Sequence, residues 1–76
     1  MDIREVFARN LRHLRREKGM SQEALADEAG VDRTYISALE RGVYSASITM
    51  VEKLANVLGV EASVLLERHV RPRRSK

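Results

Sequence analysis

At 76 residues with a formal charge of +3, the chain is long enough for one small domain and too short for two. It is 43% hydrophobic and 33% charged, with Phe7, Tyr35 and Tyr44 as its only aromatics, a balance that suits a compact helical protein and argues against a β-sandwich or general disorder. Absence of cysteine excludes a disulfide scaffold, a thiol nucleophile and Cys-ligated metal. No apolar run approaches the about 18 residues of a membrane span and Met1-Asp2-Ile3-Arg4-Glu5 does not read as a signal peptide, so a soluble, cytoplasmic protein is expected.

In chain order, Ile3, Val6, Phe7, Leu11 and Leu14 recur at steps of three or four while Arg4, Arg9, Arg12 and Arg16 fall opposite. This predicts an amphipathic helix over 3–18, closed at Gly19. Ser21 is the N-cap of a short second helix, with Glu23 in its first turn and Leu25, Ala26 and Ala29 as a buried stripe before Gly30. Ala24 in the third position excludes a full capping box. Only Val31 separates Gly30 from Asp32, the cap of a third helix that turns Ile36 and Leu39 inward and ends at Gly42. Helices joined by so tight a turn cross steeply, as in a helix-turn-helix. After Val43-Tyr44-Ser45-Ala46, Ser47 caps a fourth helix carrying Met50 or Val51, Leu54, Ala55 and Leu58 up to Gly59. A short fifth helix near 61–66 carries Val64, Leu65 and Leu66. The expected fold is all-α, a compact five-helix bundle over residues 1–67, followed by a basic tail over 68–76.

The charge is unevenly spread. Residues 1–18 hold six Lys/Arg against three Asp/Glu, residues 19–67 three against eight, and residues 68–76 five against none. Without its tail the domain is therefore acidic, and net charge alone does not argue for nucleic acid. Pro72 and the arginines around it have nothing apolar to bury, so the tail reads as a solvated end, or alternatively as a nonspecific arm for phosphates.

The sharper signal lies on the third helix. With Ile36 and Leu39 committed inward, Arg33, Thr34, Ser37, Ala38 and Arg41 fall on the outward face, which is small and polar with an arginine at each end. Such a face suits the major groove of B-DNA: Arg33 can pair with guanine O6 and N7, Thr34 can offer its hydroxyl or methyl, Ser37 and Ala38 permit close approach, and the Ala38 methyl can meet thymine. Asp32 and Glu40 would repel phosphates from that face, so Asp32 is assigned to the cap and Glu40 to an inner pairing with Arg15.

The stretch from Leu11 to Leu66 resembles the Cro and phage-repressor (XRE-like) helix-turn-helix regulators. The motifs that carry it are Ser21-Gln22-Glu23-Ala24-Leu25-Ala26, Asp32-Arg33-Thr34-Tyr35-Ile36-Ser37 and Leu54-Ala55-Asn56-Val57-Leu58-Gly59-Val60. Within that family, Asp32-Arg33-Thr34-Tyr35-Ile36-Ser37 is similar to the controller proteins of restriction-modification systems. The resemblance implies a lambda-repressor-like DNA-binding domain acting as a sequence-specific transcription regulator. It implies base contacts from Gln22 beside Arg33, Thr34, Ser37 and Ala38, and contacts to the DNA backbone from Ser21, Tyr35, Arg41, Tyr44 and Ser45. It also implies a structural ion pair between Arg15 and Glu40. The loop from Val43 to Ser47 lacks the Asn, Pro or Arg often found there, leaving Tyr44 and Ser45 as its candidates.

One recognition helix reads too few base pairs to be selective, so a twofold dimer on a palindromic operator is expected, with Val64, Leu65 and Leu66 facing the partner copy. The partners expected are double-stranded DNA and a second copy of the chain, with RNA polymerase a further candidate; no membrane and no cofactor is called for. His13 and His69 have no second ligand at metal spacing, and no nucleophile, acid-base pair or phosphate loop argues for an enzyme. The competing reading is an antitoxin-like helical module that binds another protein. A membrane-binding tail ranks last, since residues 68–76 offer only Val70 as an apolar group.

Overall fold

The computed structural model describes residues 2–68, which form five helices: α1 (Ile3–Glu17), α2 (Gln22–Ala29), α3 (Arg33–Glu40), α4 (Ile48–Leu58) and α5 (Ala62–Leu65). The expected basic tail, with His69 and Val70, lies outside the described residues apart from Arg68.

Local chemistry accounts for the helix boundaries. Ser21 and Ser47 cap α2 and α4 by accepting the N–H of Ala24 at 2.9 Å and of Met50 at 3.0 Å, and Asp32 caps α3 through Thr34 N–H at 2.9 Å. The start of α1 carries a device that its hydrophobic periodicity does not reveal. The Asp2 carboxylate accepts Arg4 N–H at 2.7 Å while Glu5 Oε1 accepts Asp2 N–H at 3.2 Å, a capping box legible in the spacing Asp-x-x-Glu.

Between α2 and α3 the chain reverses at Gly30, whose φ of +73° is strained for any residue with a Cβ. Val31 N–H then reaches back to Ala26 O at 2.9 Å, and its side chain packs on the core. The same closing bond recurs after α1, α3 and α4, from Met20 to Arg15, Val43 to Ala38 and Val60 to Ala55, each following a glycine.

Val6, Leu11, Leu25, Ile36, Leu39, Leu54 and Leu65 are fully enclosed. α1 packs on α3 and α5, α2 on α3 and α4, and α4 on α5, so every helix contributes to one core. Ile3 departs from the expected stripe of α1: it is exposed, as are Asp2, Arg4 and Glu5 around it. Asn10 is buried instead, donating from Nδ2 to Leu65 O and Glu67 O, both at 2.9 Å. One α1 side chain thus satisfies the carbonyls that α5 leaves open at its end.

Candidate nucleic-acid interface

Behind α3 lies a buried polar clamp. Glu40 is 3% exposed and Arg15 8%; Arg15 Nε meets Glu40 Oε2 at 2.5 Å and Nη2 meets Oε1 at 2.9 Å. This two-pronged pairing draws the Arg15 pKa above its already high ordinary value. Arg15 Nη1 also donates to Met20 O at 2.8 Å in the turn after α1, and Gln22 Nε2 donates to Glu40 Oε1 at 3.1 Å from the start of α2. From α1, Arg12 Nη1 reaches the Glu40 carbonyl at 3.1 Å. The expected Arg15 and Glu40 pairing is therefore present in the structure, joining α1 to α3, and Gln22 adds α2. Gln22 sits half-buried against it, a link its position in the sequence does not announce.

On the outer side, Arg33 and Thr34 are exposed on the first turn of α3, Ser37 is half-buried behind them, and Arg41 is exposed where the helix ends. Asp32 is exposed but occupied: it accepts both the Thr34 N–H and the Thr34 hydroxyl, and those bonds, the hydroxyl first, hold its carboxyl below the usual range. Thr34 has thereby spent its hydroxyl proton. What it presents outward is a methyl group and an accepting oxygen. Ser21 is the reverse case, since its oxygen accepts Ala24 N–H and its proton is left for an acceptor.

Ala38 does not belong to the outward face. It is 5% exposed, because α3 is packed by both α1 and α2 and the chain folds back over its end, with Val43 N–H on Ala38 O at 3.0 Å. The buried arc of α3 is thus wider at its second turn than the spacing of Ile36 and Leu39 suggests. Tyr35 is half-buried, and its ring lies 6.4 Å from that of Tyr44, tilted by 36°. The loop residues Tyr44 and Ser45 are exposed, and the aromatic contact ties Tyr44 to α3.

The expected interface residues separate. Leu65 is fully enclosed in the protein's own core and presents no surface to a partner; α5 is a single turn packed on both α1 and α4, which claim its inward side chain. Val64 is half-buried and Leu66 is 42% exposed. Ile48, outside the expected set, is 89% exposed, the most of any large apolar side chain among the described residues. Ile48 and Leu66 line an open recess of about 280 Å³ together with Val51, Ala62, Ser63 and Glu52. Its place at the first position of α4, outside the apolar repeat, hides this exposure in the sequence. Among the described residues no group of His, Asp or Glu could hold a metal ion, and no helix is long and apolar enough to cross a membrane.

Two short helices across a glycine turn, a polar first turn facing outward and a buried clamp behind it define a helix-turn-helix unit. The chain belongs to the helix-turn-helix family, whose model (HTH_3) matches residues 11–65. It is 49% identical over 65 residues to a hypothetical transcription factor of Neisseria meningitidis, covering 86% of this chain and 61% of that protein's length. It is 43% identical over 67 residues to control protein C.BamHI of Bacillus amyloliquefaciens, covering 87% of this chain and 83% of that one. Among solved structures, the biofilm master regulator SinR in complex with DNA superposes with a TM-score of 0.77 at 37% identity, covering 80% of this chain and 98% of that one.

Proposed function

We propose that the chain is a sequence-specific, DNA-binding transcription regulator that works as a homodimer on a palindromic operator, in the cytoplasm and without catalysing a reaction. The observation that carries this reading is the exposed first turn of α3, where Arg33 and Thr34 project beyond a helix braced from behind by Arg15, Glu40 and Gln22. An α-helix with that face enters the major groove without obstruction. The roles follow from the chemistry left free on each side chain. Arg33 reads guanine, Thr34 reads through its methyl or accepts from a base amine, and Ser37 and Gln22 complete the base contacts. Ser21, Tyr35, Arg41, Tyr44 and Ser45 hold the backbone. A control function beside restriction-modification genes, or a prophage-type repressor, is the narrower form of the proposal, supported by likeness to a control protein.

The dimer is assigned to the recess between α4 and α5. An isologous contact needs a projection and a hollow on the same surface, and Ile48 beside the recess provides both. Selection of duplexes from a random pool tests the reading. A twofold-symmetric consensus is expected, and Arg33→Ala should cost about 1–3 kcal/mol of binding and relax preference at one base pair per half-site. Unchanged affinity and preference in that variant would overturn the groove assignment.

A further inference from the structure

Away from the first turn of α3, α1 and the end of α3 enclose an open cleft of about 300 Å³ lined by Ala8, Arg9 and Arg12 on one helix and Arg41 and Gly42 on the other, with Glu5 and Glu40 completing it. Of the two carboxylates, Glu40 is charge-paired, whereas Glu5 is bonded only to a neutral N–H and keeps its charge, so the three arginines leave the cleft net positive. Glu5 Oε1 accepts Asp2 N–H in the capping box, and the oxygens of Glu40 are taken by Arg15 and Gln22. Among the described residues none of Arg9, Arg12 and Arg41 forms an ion pair.

Two of these arginines are nonetheless held in place. Arg12 Nη1 donates to Glu40 O at 3.1 Å, and Arg9 Nη2 donates to Arg68 O at 2.9 Å. A bond to a neutral carbonyl orients a guanidinium without compensating its charge and leaves most of its five N–H donors unused. Three positive groups lining one cleft repel each other, and an anion between them removes that repulsion while filling the free donors. Forked guanidinium donors match the oxygens of a phosphate.

We infer that this cleft is an oxyanion site that takes a phosphate group through Arg9, Arg12 and Arg41. The phosphate belongs either to the backbone of a bound duplex, in which case the inference rests on the DNA reading and extends the protein's footprint onto α1, or to a free phosphorylated molecule.

Inorganic pyrophosphate, titrated at constant ionic strength into the full chain and followed by NMR of the arginine Nε–Hε groups, is the direct probe. Saturable shifts are expected at Arg9, Arg12 and Arg41 but not at Arg33, with binding weakened about threefold or more by Arg9→Gln. The second arm measures duplex affinity against salt. For a backbone phosphate, Arg9→Gln weakens selected and scrambled duplexes alike and lowers the salt slope by about one; for a free phosphate, pyrophosphate binding saturates while duplex affinity stays unchanged. Unsaturating shifts equal at all arginines, together with an unchanged salt slope, overturn the site. If the chain binds no duplex at all, the DNA reading fails by itself and the pyrophosphate arm still decides the cleft.

Discussion

Gln22 donates from Nε2 to Oε1 of Glu40 at 3.1 Å, the same oxygen that Arg15 Nη2 engages at 2.9 Å. One buried carboxylate therefore ties the start of α2 to the end of α3, and Arg15 adds α1. The mutual orientation of Gln22 and Arg33, both assigned to DNA, depends on this junction.

Removing one member should be severe. Arg15→Met leaves Glu40 buried with only Gln22 as a side-chain partner, and a loss of about 3–5 kcal/mol in urea unfolding is expected. Arg15→Met combined with Glu40→Leu should recover most of it, because no charge is then stranded. Gln22 would have lost its anchor in that double variant, so base preference should suffer more than stability. A single variant that unfolds at the wild-type urea concentration would show that the clamp contributes nothing to stability.

Asn10 offers a test of how α5 is held. Its amide donates to two carbonyls at 2.9 Å, and Asn10→Ala leaves both without that donor. The expected cost is about 1–3 kcal/mol, accompanied by faster amide hydrogen exchange in residues 62–67 than in α2. Uniform acceleration throughout the chain would mean that α5 does not open separately.

Acid should destabilise the fold through its two aspartate caps. Thr34 lowers the pKa of Asp32 through its hydroxyl and N–H, and Arg4 lowers that of Asp2 through its N–H and guanidinium. A folded pKa below the unfolded one stabilises the protein above about pH 4, and that contribution disappears as pH falls through the lowered value. Asp32→Asn keeps a capping side chain and cannot titrate. Its Tm should therefore fall less than the wild type's between about pH 5 and pH 2, as thermal melts monitored by circular dichroism would show. Parallel acid limbs would mean that Asp32 makes no such contribution.

Ile48→Lys addresses the dimer. With 89% of Ile48 already exposed, the substitution should leave the monomer's unfolding free energy within about 0.5 kcal/mol of wild type while abolishing self-association in sedimentation equilibrium. A dimer that survives the lysine places the interface elsewhere.

The helix ends were legible because they are local. Ser21, Asp32 and Ser47 each cap the helix that follows within three residues, and Gly30 and Gly59 close α2 and α4 in left-handed conformations that few other residues adopt. The inward Ile36 and Leu39, and the outward Arg33 and Thr34, follow from the same short-range periodicity.

Periodicity cannot say how many neighbours a helix has, and there the tertiary structure decided. α3 is flanked by both α1 and α2, so Ala38 is buried although it stands beyond the stripe that Ile36 and Leu39 mark. Single-turn α5 gives Leu65 to the core and leaves Leu66 outside, a division that three adjacent apolar residues cannot express. Asn10 became a structural residue, and Ile48 a candidate contact, only once α5 had docked against α1 and α4. By itself the amino-acid sequence determined which helices form and which turn reads outward, since caps, glycines and apolar spacing act within a few residues. Which side chains those helices enclose depends on contacts between residues as far apart as Asn10 and Leu65, which exist only after the chain has folded.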